Sequence, residues 1–318
     1  MFKYVVKRIC WMILTFFIIA TLCFVLVKAL PMPEIKVNGR DVELIRARRR
    51  AMGYDKPIMV QYWLYLKHFV TKLDLGLGEQ MYVGQEVFTV ILKKLPYTIV
   101  VNLYSILIAI PLGLLLGIFA ALKKNKWQDQ VISTGVMIVV SVPSYVYAFL
   151  VQYFLCYRLG WFSLTVASRE ATSFFSFAMF KSMIPAIIAL SFGTIAGLTR
   201  FTRAELSEVL TGEYLLLART KGLTKTQAIT RHAMKNAMVP ILPMILGEFM
   251  GILGGSLIIE SIFSIPGIGK MFITSIQVLD YNFFMALNMF YTLIELVSGL
   301  ITDLSYGFID PRIRMGAR

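Results

Sequence analysis

The chain has little with which to carry out covalent chemistry. Its 318 residues include 2 histidines and 3 cysteines, and only 16% are charged. The histidines, His68 and His232, fall in widely separated segments, so no metal-ligand spacing exists. Cys10, Cys23 and Cys156 all lie within apolar runs, where cysteine acts as a small apolar helix residue rather than part of a disulfide framework. No H-E-x-x-H, paired CxxC or G-x-S-x-G is present. The lysine of Ile265-Pro266-Gly267-Ile268-Gly269-Lys270 lacks the G-x-x-x-x-G-K-[ST] spacing that cradles phosphates, which excludes ATP binding by that route. Acids are also scarce, 18 against 32 Lys and Arg, for a net charge of +14. A nucleic-acid binder concentrates such an excess on one folded face, whereas here much of it flanks apolar runs. Neither a catalytic residue nor a resident cofactor nor a nucleic-acid partner is expected.

What is abundant is apolar sequence: 58% of residues are hydrophobic, with mean hydropathy +0.71. Crossing the hydrocarbon core as a helix takes ~20 mostly apolar residues. Six runs qualify: Ile9–Leu30, Leu95–Leu122, Val131–Leu159, Ile184–Leu198, Val239–Ile259 and Phe283–Phe308. The fourth is short, so its helix is expected to begin nearer Met179 or to continue past Arg200. The first run exceeds the ~7–15 apolar residues of a signal peptide, and Lys28-Ala29-Leu30-Pro31 is a poor cleavage site. Basic residues precede span one (Lys3, Lys7, Arg8), follow span two (Lys123, Lys124, Lys126), fill the connection between spans four and five, and close the chain (Arg312, Arg314, Arg318). Every second connection is thus basic, which places both termini in the cytoplasm. The segment from 31 to 95 is basic as well, yet falls outside on this count. At about 65 residues it nears the length above which loop charge ceases to orient a span, and it reads as a small translocated domain. Three parts follow: a transmembrane helix at 1–30, an extracytoplasmic segment at 31–94, and a membrane core at 95–318.

Small residues one helical turn apart, which allow close helix approach in lipid, occur at Gly113/Gly117, Gly193/Gly197 and Gly251/Gly255. Pro111, Pro143, Pro240 and Pro243 each remove a hydrogen bond within a span. Met59–Leu73 carries Met59, Trp63, Leu66, Val70 and Leu73 at helical spacing and suits a helix at the membrane interface. Glu248 and Glu295 lie within spans, where a charge costs ~2.5–3.5 kcal/mol. Either a substrate pathway or a polar subunit seam would account for them. Glu260 is expected at the interface.

Between spans four and five, residues 203–237 form a long polar insertion with helical periodicity. Glu205–Thr220 reads as one helix with Leu206, Val209, Leu210 and Leu217 on one side. Gly222 permits a sharp turn, and Lys225–Met238 reads as a second amphipathic helix returning to the membrane. A helix-turn-helix on the cytoplasmic face is a knob for a groove in a partner.

This segment resembles the EAA-type coupling loop of ABC importer permeases. Glu213-Tyr214, Ala218-Arg219-Thr220-Lys221-Gly222, His232-Ala233, Asn236-Ala237 and Pro240 carry the likeness. It extends to Leu253-Gly254-Gly255-Ser256, Glu260-Ser261-Ile262-Phe263, Pro266-Gly267-Ile268-Gly269, Asp310-Pro311-Arg312, the head Tyr4…Lys7-Arg8, and Tyr54-Asp55-Lys56-Pro57…Gln61-Tyr62. Nearly the whole chain is similar to the B-type permease subunits of oligopeptide and dipeptide importers. It departs at Pro31-Met32-Pro33-Glu34, where many members have Pro-Gly-Asp-Pro, and at Thr220, where many have Ala.

The resemblance implies an all-α polytopic membrane protein with six transmembrane helices, a MetI-like core of five plus an N-terminal helix, in the bacterial cytoplasmic membrane. It implies a second permease subunit, two cytoplasmic ATPases that hold ATP and magnesium, an extracytoplasmic peptide-binding protein, and a peptide substrate. Glu213, Tyr214, Ala218, Lys221, Gly222, His232 and Asn236 would couple to the ATPases. Asn102, Ser141, Gly247 and Glu248 are candidates for lining the path. A nickel or dipeptide importer of the same family is the alternative. A stand-alone secondary transporter would instead use Glu248 and Glu295, but leaves the cytoplasmic knob unexplained.

Overall fold

A long apolar run can cross lipid only with its backbone groups paired internally, and a helix achieves this within one segment. The computed structural model follows that rule throughout. It describes residues 2–31, 33–34, 40–166 and 173–309; the motif at 310–312 and the final arginines lie outside that range. The helices, in order, are α1 (Phe2–Ala29), α2 (Arg40–Ala51), α3 (Ile58–Lys72), α4 (Val87–Leu122), α5 (Trp127–Ser141), α6 (Ser144–Val151), α7 (Phe177–Val209), α8 (Glu213–Thr220), α9 (Lys225–Ala228), α10 (Met234–Gly251), α11 (Leu257–Ile262), α12 (Ile268–Gln277) and α13 (Tyr281–Ile309). Beyond two isolated β-bridges near residues 77–86, the described residues form no strand.

Four stretches are long and apolar enough to cross a membrane: Lys3–Ala29, Val87–Leu122, Phe177–Val209 and Tyr281–Ser305. The expected third span is broken. α5 and the helix running on from α6 meet at 102°. Pro143 explains the break, because the residue before a proline is pushed out of the helical region. Val142 is accordingly extended, at φ −89° and ψ 128°. The fourth span is extended at both ends, from Phe177 to Val209. The fifth is shorter than expected: α10 stops at Gly251, and a turn separates it from α11.

The chain divides into two compact units. The first comprises Met1–Ile99 and Leu253–Leu300. Within it α3 lies on α1 through Phe24 against Tyr62 (5.1 Å between ring centroids) and Phe16 against Phe69 (6.3 Å). Val87, Ile91, Ile268, Phe283 and Leu287 form a buried core. The segment expected to be extracytoplasmic is fastened rather than loose. Asp280 accepts hydrogen bonds from the amides of Glu79, Gln80 and Met81 at 2.7–3.0 Å, and ion pairs join Arg48 to Asp74 and Arg49 to Glu79.

Glu260, expected at the interface, is fully buried in this unit. Its carboxylate accepts from the Thr98 hydroxyl (2.9 Å) and from the first amides of α12, Gly269 (2.8 Å) and Lys270 (3.1 Å). Gly255, Gly267 and Gly269 form its walls, and a Cβ on Gly269 would lie 2.8 Å from Glu260 Oε2. The glycines of Pro266-Gly267-Ile268-Gly269 are therefore a consequence of the buried acid beside them. Glu260 lies outside the candidate spans. Burial pushes its carboxyl up to about 7, against the hydrogen bonds from Thr98, Lys270 and Gly269, which favour the anion.

The second unit comprises Val100–Ile252 and Ile301–Arg318. Here α7 is the central helix, packed by α5, α6 and α10. Of the three glycine pairs, Gly113/Gly117 mediates a close crossing: added Cβ atoms would lie 2.8 Å from Leu198 and 2.6 Å from Thr202. Gly193/Gly197 meets only Tyr147 and Met244 at ordinary contact distance. Gly251/Gly255 does not share a helix, because Gly255 sits in a turn at φ +63°.

Candidate coupling segment and translocation path

The segment at 203–237 belongs wholly to the second unit. It is anchored at its base. Arg203, near the end of α7, donates to Asp129 at the start of α5, with the Nη2–Oδ2 bond at 2.8 Å. The Asn125 amide (2.9 Å) and the Ser133 hydroxyl (3.3 Å) complete the shell around this buried acid. Neither Arg203 nor Asp129 is among the residues that the sequence alone points to. The available signal was an acid just after the Lys123–Lys126 cluster, in the first turn of a helix.

The expected single helix from Glu205 to Thr220 is two helices. α7 ends at Val209, and Gly212 starts α8 at φ −73° and ψ 144°. The break resets the helical register. Leu206 is buried, but Leu217, assigned to the same face from periodicity, is 56% exposed, and Leu216 beside it is 65% exposed. Two large apolar side chains thus project from the helix that begins with Glu213.

α8 ends at Thr220, Lys221 caps it, and Gly222 turns the chain at φ +91°, the left-handed region glycine enters without strain. A Cβ there would meet nothing within 4 Å. Thr224 then closes a capping box with Gln227 and starts α9. The expected second helix is α9, a π-helical turn over Ile229–Ala233, and the first turn of α10. Ala121, Leu206, Leu215, Ala218, Ala228, Ala233 and Ala237 make the buried core of this region. Alanines let short helices approach closely, so Ala218 is a packing residue. Glu213, Lys221, Gly222, His232 and Asn236 are all exposed. The side chain of Tyr214 lies outside the described residues.

The candidate path residues also fall in the second unit. Glu248 on α10 is half-buried and accepts a hydrogen bond from the Thr194 hydroxyl on α7 at 3.0 Å. Thr194 was not singled out from sequence, and nothing local marks it. Gly247 faces open space, Asn102 is half-buried on α4, and Ser141 is exposed at the end of α5.

Residues 113–315 match the family described as binding-protein-dependent transport system inner membrane component, and residues 1–102 match the N-terminal domain of the same components. The chain belongs to this permease family. The permease is 34% identical to the dipeptide transport system permease protein DppB of Lactococcus lactis over 315 residues, covering 99% of this chain and 100% of the relative. It is 32% identical to the DppB protein of Bacillus subtilis over 316 residues, 99% of each. It is also 30% identical to the glutathione transport system permease protein GsiC of Escherichia coli K12 over 317 residues, again 99% of each. Both ends of the permease, not the membrane core alone, are therefore shared with these relatives.

Proposed function

We propose that this permease forms half of the translocation path of an ATP-driven peptide importer, with residues 203–237 as the contact that receives motion from a cytoplasmic ATPase. The observation that carries the reading is the knob itself: exposed Leu216 and Leu217 stand on α8, between Glu213 at its start and the open turn at Gly222 just past its end. Exposed leucines of this size on a compact two-helix element call for an apolar groove in a partner. Full-length similarity to dipeptide and glutathione permeases supports a short peptide as cargo.

Glu295 supports a second permease subunit as partner. It lies exposed in α13, within a candidate span, where lipid contact would cost ~2.5–3.5 kcal/mol. A partner helix covering it removes that cost. Two ATPases holding ATP and magnesium and an extracytoplasmic binding protein complete the assembly, with both permease termini in the cytoplasm. Glu248, held by Thr194, with Gly247, Asn102 and Ser141, lines the path.

The test is ATP-dependent uptake into vesicles that hold the permease with its partner subunits. Labelled peptides of two to about eight residues would be offered, with nickel as the control. Uptake of peptides supports the assignment, and the longest one carried gives the size limit. Uptake of nickel alone would overturn the substrate. Uptake without ATP would point to coupling through Glu248 and Glu295 instead.

A further inference from the structure

The first unit contains a cavity of about 60 Å³ that the transport reading does not use. Its walls come from the last turns of α1, from α2 and α3, from the segment at 75–79, and from the start of α13. We infer that it is a binding site for a membrane phospholipid, with the headgroup phosphate seated beside Lys28 and Arg48.

Depth is the first argument. The span Lys3–Ala29 is 27 residues long, or about 40 Å at 1.5 Å per residue, enough to cross the hydrocarbon core and enter the headgroup layer. Lys28 is in its last turn, so a cavity walled by Phe24, Val27 and Lys28 lies at the level of lipid headgroups.

Charge is the second. Lys28, Arg48 and Arg49 line the cavity against one lining carboxylate, Glu79. Arg49 takes that carboxylate through both Nε and Nη2. Arg48 directs Nη2 to Asp74. The Lys28 ammonium has no ion-pair partner among the described residues and rests 3.2 Å from the centre of the Tyr54 ring. Counting Asp74 and Asp280, whose field reaches Arg49 and Tyr54, three cations face three carboxylates, and Lys28 is the cation of the three without an ion-pair contact among the described residues, the one left to meet a phosphodiester.

Unmet hydrogen bonds are the third. Two polar atoms on lining residues are buried without a partner: Arg48 Nε, a donor, and Gln61 Oε1, an acceptor. Buried polar groups are rarely left unpaired. A phosphate oxygen would satisfy the first, and a headgroup hydroxyl or ammonium the second. At ~10–15 Å³ per water the cavity holds a handful of waters, room for the polar end of a lipid but not its chains. The chains have a surface available. Met59, Trp63 and Val70 make an exposed apolar stripe on α3, whose other face packs on α1.

The experiment is native mass spectrometry of the full chain in detergent, after delipidation and titration with phosphatidylglycerol or phosphatidylethanolamine. Inorganic phosphate is the soluble arm, read by thermal shift. The wild type is expected to retain one phospholipid. Lys28→Gln should weaken retention at least tenfold, and Met52→Trp, which fills the cavity without touching a charge, should do the same. Equal retention by wild type and both variants would overturn the site, as would no retained lipid at all. Stabilisation by inorganic phosphate to the same extent as by lipid would make the ligand a soluble phosphate and defeat the lipid assignment. Uptake is not a readout here, so the result is independent of the transport reading.

Discussion

The coupling segment and the Glu260 cradle both depend on glycine, and they use it in opposite ways. Around Gly222 there is open space, and the neighbouring motif residues Glu213, Lys221, His232 and Asn236 are exposed. Around Gly255, Gly267 and Gly269 there is no room, and the acid they enclose is fully buried. The exposed motif residues, proposed to serve a partner, carry little of the fold's stability. Motif residues that close a buried polar site are fixed by it. Transport and stability should therefore separate when the two regions are altered.

The largest effect is expected at the open glycine. Gly222→Asp must hold a side chain at φ +91°, a local strain of ~1–2 kcal/mol, and places a charge on the proposed docking surface. The protein should still insert, while ATP-driven uptake falls below detection. Gly222→Asn, which tolerates positive φ better, should keep part of the activity. Wild-type uptake by Gly222→Asp would sink the docking assignment.

Next comes the apolar tip. Leu216→Ser with Leu217→Ser should leave thermal stability within ~0.5 kcal/mol, as for surface changes, because both side chains are already exposed. Recovery of the ATPase with the permease on affinity purification should drop about tenfold, the equivalent of ~1.4 kcal/mol of contact.

The closed region should show the reverse pattern. Gly269→Ala drives a Cβ against Glu260 and should cost ~1–3 kcal/mol of stability, as overpacking does. Uptake per folded molecule should change little. An unchanged melting temperature in reconstituted membranes would contradict the cradle.

The closed region should also show a pH dependence. Burial holds Glu260 near 7, above the ~4.3 of an unfolded glutamate, so between those values the native state binds the extra proton. Its stabilising contribution is complete below the lower value and is lost as pH rises through the upper one. Thermal stability should decline from pH 5 to about 7 and then level, with a slope from this group no steeper than ~1.4 kcal/mol per pH unit. Glu260→Gln should remove that component.

Local order was readable where it depends on neighbours along the chain. Apolar runs located the long helices, and Lys221-Gly222 located a turn that does take positive φ. Periodicity misled where a break intervened. Continuing one register from Leu206 across Gly212 assigned Leu217 to a buried face, and the turn at 210–212 rotates it outward. Distant pairings were not readable. Glu260 finds Thr98 across 162 residues, Arg203 finds Asp129 across 74, and Glu248 finds Thr194 across 54. Spacing reports which residues share a face, not which remote group that face will meet. A buried carboxylate and an interfacial one look alike until the fold supplies their donors.

The most direct test of the coupling claim is a cysteine at Leu216, in a chain whose Cys10, Cys23 and Cys156 have been replaced, cross-linked in membranes containing the ATPase subunits. The account predicts a specific cross-link to the ATPase whose yield changes when ATP is bound, with uptake retained before the cross-linker is added. A chain that inserts and transports normally yet gives no such cross-link, with or without ATP, would contradict it.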